Sequence, residues 1–334
     1  MRIAINGFGR IGKLVFRAFI EKNLKGVEIV AINELGSLDS SLHLLQFDSV
    51  HGKFPVEIKK TKDGLKYKNK TIKFFSEIDP INLPWKKLKV DIVLECSGFF
   101  ASKEKSSSHI IAGAKKVIIS APGSNVDATI VQGVNNQILT KKHSIISNGS
   151  CTTNCLAPVA MVMDKGVGIE SGFMTTIHSY TGDQRTVDQS HSDLRRARGA
   201  AISMIPTSTG AAKALSLVLP KMKGKLDGTA IRVPTPNVSL IDFAFISKKK
   251  TTVENINNLA ISASKTKGLK NILTINKLPL VSIDFNHNSS SSVFDLTQTQ
   301  IVNGRFCRVL SWYDNEWGFS NRMIETMLDL KKLL

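Results

Sequence analysis

The amino-acid sequence predicts two domains, an α/β domain with a parallel sheet followed by an α+β domain with a largely antiparallel sheet. In the first half, short apolar strands alternate with amphipathic helical segments, which is the pattern of parallel strands joined by helices. In the second half the strands are longer, and several follow one another without a helix between them. The chain has 334 residues, 42% of them hydrophobic, which suits about two globular domains.

A glycine-rich turn follows the first predicted strand, residues 2–6, directly. Gly7, Gly9 and Gly12 have the spacing GxGxxG, and a helical pattern continues from there to about residue 22. A second strand ends just before Glu34, which lies 22 positions beyond Gly12. In such a unit the glycines let the backbone approach a pyrophosphate, the helix N-terminus holds its charge, and the acid binds ribose hydroxyls. The sequence therefore predicts a Rossmann-type dinucleotide site; a tight strand–helix turn without a ligand is the alternative interpretation.

Two further buried strands end at serines. The strand at 90–96 leads into Ser97, and the strand at 116–120 ends at Ser120. Ligands of open α/β sheets bind beyond the carboxyl ends of strands, so both serines are candidate cofactor contacts, although ordinary loop chemistry would explain either alone.

The boundary between the predicted domains lies just before a short motif that contains a cysteine. We expect a first domain over residues 1–149 and a second, catalytic domain over 150–315. A C-terminal helix, about 316–334, is expected to return to the first domain.

Composition limits the classes of partner. The net charge is +18, yet the lysines are scattered or lie in surface-like runs without interleaved aromatic residues, so a solvated surface or small anionic ligands explain the charge better than nucleic acid. No apolar run approaches the roughly 20 residues of a membrane span.

The four cysteines and the absence of an export signal predict a cytoplasmic protein. Cys151 and Cys155 do not have metal-ligand spacing, and we predict no metal site.

Cys151 is the candidate nucleophile. Ser150 has the character of a helix N-cap, which places Cys151 in the first helical turn, where free N–H groups and the helix dipole favour a thiolate. His178 ends a predicted strand and is the candidate base, although any one of seven histidines is more often structural.

A long segment, residues 181–210, shows little regular pattern. It contains Arg195, Arg196 and Arg198. Such a stretch inside a compact domain is usually functional or forms an interface. Its arginines are expected either to bind phosphate or to pair with carboxylates at a subunit contact, and the residues alone leave both readings open.

Several motifs together resemble those of phosphorylating glyceraldehyde-3-phosphate dehydrogenases. The resemblance runs from residue 2 to about 330, and the cysteine motif is specific to this family and its close relatives. The segments that carry it are 6–12 (NGFGRIG), 150–155 (SCTTNC), the strand that ends near His178, 208–213 (STGAAK), 232–238 (RVPTPNV) and 312–318 (WYDNEWG).

The resemblance implies a reaction. The Cys151 thiolate would add to the aldehyde of glyceraldehyde 3-phosphate, and His178 would handle the protons while hydride leaves for NAD. The thioester product would then be attacked by inorganic phosphate to give 1,3-bisphosphoglycerate.

The resemblance also implies the binding residues. Thr181 and Arg232 match the site of the substrate C3-phosphate. The attacking-phosphate region matches Ser150, Thr152, Arg196, Thr209 and Gly210. The cofactor contacts of the family correspond to these residues of the chain: Arg10, Ile11, Glu34, Ser120 and Asn315. Asn315 is expected at the nicotinamide carboxamide. The family is a homotetramer in which residues 181–205 resemble an interface loop.

Three positions depart from the family pattern. Glu34 stands where NAD-dependent members usually have Asp, Gln189-Ser190 replaces a common Leu-Pro, and Phe319 replaces a common Tyr. Because a carboxylate at position 34 repels a 2′-phosphate, NAD is the expected cofactor. Ser190 resembles the residue of NADP-using relatives, so some tolerance of NADP is a hypothesis.

Two other functions compete with this interpretation. Erythrose-4-phosphate dehydrogenase is a close relative, and the segment 280–287 (LVSIDFNH) suits it; the segment 207–210 (TSTG) favours the phosphorylating enzyme. A non-catalytic nucleic-acid or surface-binding role is the alternative from another class, and the intact pair of Cys151 and His178 argues against it.

Overall fold

A computed structural model describes all 334 residues of the chain. The chain divides into two compact units. The first comprises Met1–Ile130, Asn136–Gly149 and Ser320–Leu334, and the second comprises Val131–Asn135 and Ser150–Phe319.

The first unit is built on one nine-stranded sheet. Its elements are β1 (Arg2–Asn6), α1 (Arg10–Glu21), β2 (Glu28–Asn33), α2 (Leu38–Gln46), β3 (Phe47–Asp48), β4 (Gly52–Lys53), β5 (Lys59–Thr61), β6 (Gly64–Tyr67), β7 (Lys70–Phe75), α3 (Trp85–Leu88), β8 (Ile92–Glu95), α4 (Lys103–Ile111), β9 (Lys116–Ile119), β10 (Ala128–Thr129) and β11 (Ile145–Ser147). The strand order is β10-β11-β9-β8-β1-β2-β7-β6-β5. All pairs are parallel except β5–β6 and β6–β7, and β3 and β4 form a separate hairpin.

The central strands β1, β8 and β9 are buried along nearly their whole length, as expected for parallel strands covered on both faces. Helix α1 buries Leu14, Val15 and Phe16 on its apolar face. It starts against the glycine turn so closely that a Cβ on Gly12 would lie 2.1 Å from the Gly7 carbonyl oxygen. The helix predicted from the glycine motif is therefore observed, and its packing depends on the third glycine.

The second unit is built on a seven-stranded sheet. Its elements are α5 (Cys151–Gly166), β12 (Ile169–Ser179), β13 (Ile205–Ser208), α6 (Ala211–Val218), β14 (Leu226–Val233), β15 (Ser239–Ser247), α7 (Val253–Ser264), β16 (Leu273–Asn276), β17 (Ser292–Val302) and β18 (Phe306–Tyr313). The strand order is β13-β14-β12-β15-β18-β17-β16, antiparallel except for β12–β14 and β16–β17. The predicted fold class, a parallel-rich α/β unit and a largely antiparallel α+β unit, is confirmed.

Helix α5 organises the core of the second unit. It packs against α6 and α7 and against the strands β12, β15, β17 and β18. Leu156, Ala157, Val159, Ala160 and Met163 are all fully buried in that core. The first turn of α5 is thereby fixed beside the carboxyl end of β12.

Two predictions about the second half need correction or refinement. The segment 181–210, predicted to have little regular structure, contains the strand β13 near its end. Ile205 and Thr207 of this strand point to the interior, and the strand pairs antiparallel with β14. The last helix, α8, spans Trp317–Lys331, and residues from Ser320 onward belong to the first unit. None of the helices combines the length and the apolar character that crossing a membrane requires.

Candidate active site

The candidate nucleophile, Cys151, is the first residue of α5. The Ser150 hydroxyl accepts a hydrogen bond of 3.0 Å from the backbone N–H of Thr153, so the predicted N-cap is observed. Cys151 follows it and is half-buried. Its sulfur lies within reach of the N–H groups of Cys151 and Thr152 and of the Thr152 hydroxyl. The helix start therefore offers hydrogen bonds to a negative sulfur.

Burial changes the protonation of this thiol. It raises the pKa of Cys151, because the anion loses hydration, and the positive charge of Arg232 and the hydrogen bonds from Thr152 and Cys151 only partly oppose the shift. The helix start favours the thiolate, as the sequence predicts, but burial has the larger effect on this pKa. The thiol needs a base close by.

His178, the candidate base, lies beside the thiol near the end of β12. Its Nε2 atom lies 3.5 Å from the Cys151 sulfur. Its Nδ1 atom lies 2.7 Å from the Ser179 carbonyl oxygen and 2.9 Å from Arg232 Nη1, and in the tautomer with the hydrogen on Nδ1 the ring donates to that carbonyl. The lone pair of Nε2 is then directed at the thiol.

The imidazole is held neutral. The side chain is 4% exposed, and burial, followed by the charge of Arg232, lowers the pKa of His178 to about 3, while the hydrogen bond to Ser179 opposes the shift. Both shifts disfavour a thiolate–imidazolium pair, so burial favours a thiol facing a neutral imidazole.

Arg232 lies on the neighbouring parallel strand β14, in register with His178. Its Nη1 atom is 2.9 Å from His178 Nδ1 and donates to the Ser179 carbonyl oxygen at 3.2 Å. Its buried Nε–H has no hydrogen-bond partner, and the guanidinium forms no ion pair. A partly buried cation with an unused donor is suited to receive an anionic group.

Tyr313 is a residue that the sequence reasoning did not assign to the site. Its hydroxyl bonds to the hydroxyls of Thr152 at 2.8 Å and Thr176 at 2.9 Å. Its ring meets the His178 ring edge-on, with centroids 5.9 Å apart. The Thr152 side chain, expected near a phosphate, is therefore buried against Tyr313 and shares in holding the site together.

A second polar cluster surrounds Arg196. Its Nε donates to the Thr207 hydroxyl at 2.9 Å and its Nη1 pairs with Asp183 at 2.9 Å. Asp193 accepts from the Thr207 hydroxyl at 3.1 Å and caps the N–H of Arg195 at 2.9 Å. In this structure Arg196 is therefore paired with carboxylates of its own chain, and Asp183, with a side chain 52% exposed, is the partner that an anion could replace.

The start of α6 lies beside the start of α5. The Thr153 hydroxyl reaches the carbonyl oxygen of Ala211 at 3.5 Å. The Thr209 hydroxyl accepts from the N–H of Ala211 at 3.2 Å, and nothing lies within 4 Å of a Cβ placed on Gly210. Ser150, Thr209 and Gly210 thus come from two helix starts that contact each other. Thr181 is half-buried, and its N–H donates to the Gln184 side chain at 3.2 Å.

Asn315 is buried with its orientation fixed. Its Oδ1 accepts hydrogen bonds from the hydroxyls of Ser179 at 2.8 Å and Ser239 at 2.9 Å. The amide NH₂ group remains as the donor. Sequence reasoning missed the two serines, because their positions carry no signal until β12 and β15 are paired.

The first unit has a cleft at the carboxyl ends of its central strands. The cleft, about 490 Å³, is lined by Gly7, Gly9, Glu34 and Ser97 and by exposed apolar side chains that include Leu35 and Phe99. A Cβ on Gly7, whose φ is +86°, would lie 2.4 Å from the backbone nitrogen of Ser97, whereas nothing lies within 4 Å of the Cβ position of Gly9. The N-terminus of α1 has no side-chain cap. Open space above Gly9 and a helix start without a side-chain cap fit a dinucleotide pyrophosphate.

The acidic residue at the end of β2 is held at this cleft. Glu34 accepts hydrogen bonds from the N–H of Phe8 at 2.6 Å and of Gly36 at 3.1 Å. Arg10 instead directs its guanidinium to Asp48 at 2.7 Å, and Ile11 is half-buried in the first turn of α1.

The two predicted serines follow β8 and β9. Ser97 donates its N–H to the Glu95 carboxylate at 2.7 Å, and Ser120 donates its N–H to the Glu95 carbonyl oxygen at 2.9 Å. Among these residues Ser97 lines the cleft.

A dinucleotide cleft in one unit and a thiol beside an imidazole in the other are features of an NAD-dependent oxidoreductase. Comparison with known proteins narrows this class. The family model described as glyceraldehyde 3-phosphate dehydrogenase, NAD binding domain, matches residues 1–103, and the model of the C-terminal domain matches 150–315.

Curated relatives match over the full length. The chain is 57% identical over 333 residues to glyceraldehyde-3-phosphate dehydrogenase of Xanthobacter flavus, covering 100% of this chain and 99% of the relative. It is 54% identical over 334 residues to the enzyme of that name from Cereibacter sphaeroides and 52% identical over 335 residues to that from Zymomonas mobilis, with 100% and 99% covered in both cases.

The chain belongs to the glyceraldehyde-3-phosphate dehydrogenase family. The predicted family, the predicted class of NAD-dependent oxidoreductase and the predicted oxidation of glyceraldehyde 3-phosphate are confirmed. NAD is confirmed as the cofactor. These matches do not favour erythrose-4-phosphate dehydrogenase.

Proposed function

We propose that the chain carries out the reaction of its family through Cys151 as nucleophile and His178 as general base. The observation that carries this proposal is the 3.5 Å approach of His178 Nε2 to the Cys151 sulfur, with the opposite ring nitrogen 2.7 Å from a carbonyl oxygen. This arrangement presents a proton acceptor to a protonated thiol, as nucleophilic catalysis by cysteine requires.

In the first step, the Cys151 sulfur attacks the aldehyde carbon while His178 Nε2 takes the thiol proton. A C–S bond forms, the C=O bond becomes a C–O single bond, and the oxygen acquires the proton from the imidazolium, which gives a hemithioacetal. The N–H groups at the start of α5 stabilise the negative oxygen as it develops.

In the second step, His178 removes the hydroxyl proton of the hemithioacetal. NAD, when bound, supplies the acceptor for the hydride that leaves the same carbon. The product is a thioester on Cys151. Inorganic phosphate then attacks the thioester carbon, the C–S bond breaks, and 1,3-bisphosphoglycerate leaves the regenerated cysteine.

Two anion subsites serve these steps. We assign the substrate C3-phosphate to Arg232 and Thr181, because Arg232 has an unused buried donor. We assign the attacking phosphate to the two adjacent helix starts and to Arg196. The residues there are Ser150, Thr152, Arg196, Thr209 and Gly210, of which Thr152 contributes through its backbone, since its hydroxyl is bonded to Tyr313.

The first unit, residues 1–149 with the C-terminal helix, serves as the NAD-binding domain in this proposal. The glycine turn and the start of α1, with Arg10 and Ile11, hold the pyrophosphate, and Glu34 binds the ribose. Ser97 and Ser120 line the cofactor region. Residues 150–315 form the catalytic domain, in which the fixed NH₂ group of Asn315 is suited to a carboxamide oxygen.

Assembly and location are part of the same proposal. Exposed apolar side chains cluster in the segment 181–205, where Leu194 is 82% and Ile202 is 87% exposed. Such residues support a subunit contact, and we propose a homotetramer. We propose a cytoplasmic enzyme whose basic surface is solvated and for which nucleic acid is not the main partner.

Initial rates test the proposal. NADH formation is measured with glyceraldehyde 3-phosphate and with erythrose 4-phosphate, with NAD or NADP, and with or without inorganic phosphate. We expect phosphate-dependent turnover of glyceraldehyde 3-phosphate with NAD as the better cofactor, and none in Cys151→Ser. A rate that ignores phosphate, or that survives in Cys151→Ser, contradicts the proposal, as does a preference for erythrose 4-phosphate.

A further inference from the structure

The guanidinium of Arg232 contacts the base directly. It lies 2.9 Å from Nδ1 of His178, and both nitrogens lie within hydrogen-bond distance of the same Ser179 carbonyl oxygen. Their contact is fixed by the register of β12 and β14, which pairs residue 178 with residue 232. A cation therefore lies against the ring nitrogen opposite the one that must accept the thiol proton.

No carboxylate contacts the imidazole to offset this charge. The groups around the ring are Cys151 from α5, Tyr313 from β18, Arg232 from β14 and the Ser179 carbonyl of its own strand. The charge of Arg232 is among the causes that lower the pKa of His178. An imidazolium formed here faces a guanidinium at hydrogen-bond distance, which opposes proton transfer from the thiol.

An anion on Arg232 alters this balance. Arg232 is partly buried, its guanidinium forms no ion pair, and its buried Nε–H has no hydrogen-bond partner. A phosphate dianion bound there neutralises the charge that faces the ring. The charge of Arg232 also favours the Cys151 thiolate. Arg232 contacts the imidazole directly, whereas Cys151 lies at the opposite ring nitrogen. Neutralising the guanidinium charge therefore stabilises the imidazolium more than it destabilises the thiolate.

We propose that Arg232 couples substrate recognition to the base: without an anion it restrains His178, and the C3-phosphate of the substrate releases that restraint. This inference rests on the proposed C3-phosphate subsite. The step it promotes is transfer of the Cys151 proton to His178 Nε2 as the C–S bond forms. The enzyme thereby discriminates against aldehydes without a phosphate group in the rate of acylation as well as in binding.

The test separates the phosphate group from the aldehyde. D-Glyceraldehyde, which has no phosphate, is mixed with enzyme and saturating NAD in a stopped-flow instrument without inorganic phosphate, and the first turnover of NADH is followed with and without phosphite. In the wild type we expect phosphite to accelerate acylation at least tenfold.

Variants identify the responsible residue. Arg232→Gln is expected to abolish the response to phosphite and to react with D-glyceraldehyde at least threefold faster than the phosphite-free wild type, because the restraint is gone. A residue that only binds phosphate gives no such increase. Arg232→Lys keeps the charge and is expected to keep the slow phosphite-free rate. Arg305→Gln, at a surface arginine that pairs with Glu170, is the matched control that retains acceleration by phosphite.

The outcomes are decisive. Absence of acceleration in the wild type overturns the inference whether or not Arg232→Gln folds. A phosphite-free rate of folded Arg232→Gln at or below that of the wild type overturns it too, as does acceleration that persists in that variant. Glyceraldehyde 3-phosphate is measured in parallel: if it gives no NADH, the proposed function fails, and if it does while phosphite has no effect, only the coupling fails.

Discussion

The unusual state of His178 predicts a specific dependence of stability on pH. A histidine with an ordinary pKa of 6.5 in the unfolded chain has a pKa lowered to about 3 in the folded protein, first by burial and then by Arg232. Between these values the unfolded chain binds a proton that the folded protein does not. The contribution of His178 to stability is therefore fully present above pH 6.5 and is lost as the pH falls toward 3.

The magnitude follows from the two pKa values. Each pH unit between them is worth about 1.4 kcal/mol, so at pH 5.0 the loss is about 2 kcal/mol relative to pH 7.5. His178→Asn removes the titrating ring. We expect the free energy of unfolding in urea to fall between pH 7.5 and 5.0 by about 2 kcal/mol more in the wild type than in this variant.

The assay compares three proteins at one chain concentration. His43→Asn, at an exposed histidine of α2, is the matched control, and it is expected to retain the wild-type dependence on pH. Circular dichroism follows unfolding at both pH values. An equal loss of stability in the wild type and in His178→Asn refutes the conclusion that the base is held neutral by its surroundings.

Three further predictions concern the cleft and the support of the site. Gly12→Ala places a methyl group 2.1 Å from a carbonyl oxygen and is expected to destabilise the chain by about 1–3 kcal/mol. Gly9→Ala places its methyl group in open space, so it is expected to keep the wild-type melting temperature and to weaken NAD binding measured by calorimetry. Equal melting temperatures of the two variants contradict this prediction. Glu34→Gln removes the charge that repels a 2′-phosphate and should raise the NADP-to-NAD ratio of kcat/KM by about tenfold; an unchanged ratio is the contrary result. Tyr313→Phe removes the hydroxyl that bonds to two buried threonine hydroxyls, and it is expected to lower the free energy of unfolding in urea by about 1–3 kcal/mol. A decrease below about 0.5 kcal/mol argues against these hydrogen bonds.

The parts of this protein that depend on local pattern could be predicted from the sequence. The glycine spacing and Glu34 indicated the dinucleotide cleft, because a tight turn and a helix start are local structures. Ser150 indicated the start of α5 and the position of the thiol for the same reason.

The parts that depend on strand register and burial could not be predicted. The contact between His178 and Arg232 exists because β12 and β14 are parallel neighbours in one particular register, which the distance between the two residues along the chain does not reveal. Burial of Cys151 overrides the favourable helix start, and its extent is known only once α5 is packed. The pairing of Arg196 with Asp183 is likewise a product of the fold of the long loop.

The central claim is that oxidation passes through a thioester on Cys151, and one experiment tests it most directly. Enzyme, NAD and glyceraldehyde 3-phosphate are mixed without inorganic phosphate and quenched with acid after the first turnover; NADH is counted, and the cysteine-containing peptides are analysed by mass spectrometry. We predict one NADH per chain and one acyl group, attached to Cys151, which disappears when phosphate is added before the quench. NADH formed without an acyl group on Cys151, or with the group on Cys155, contradicts the account.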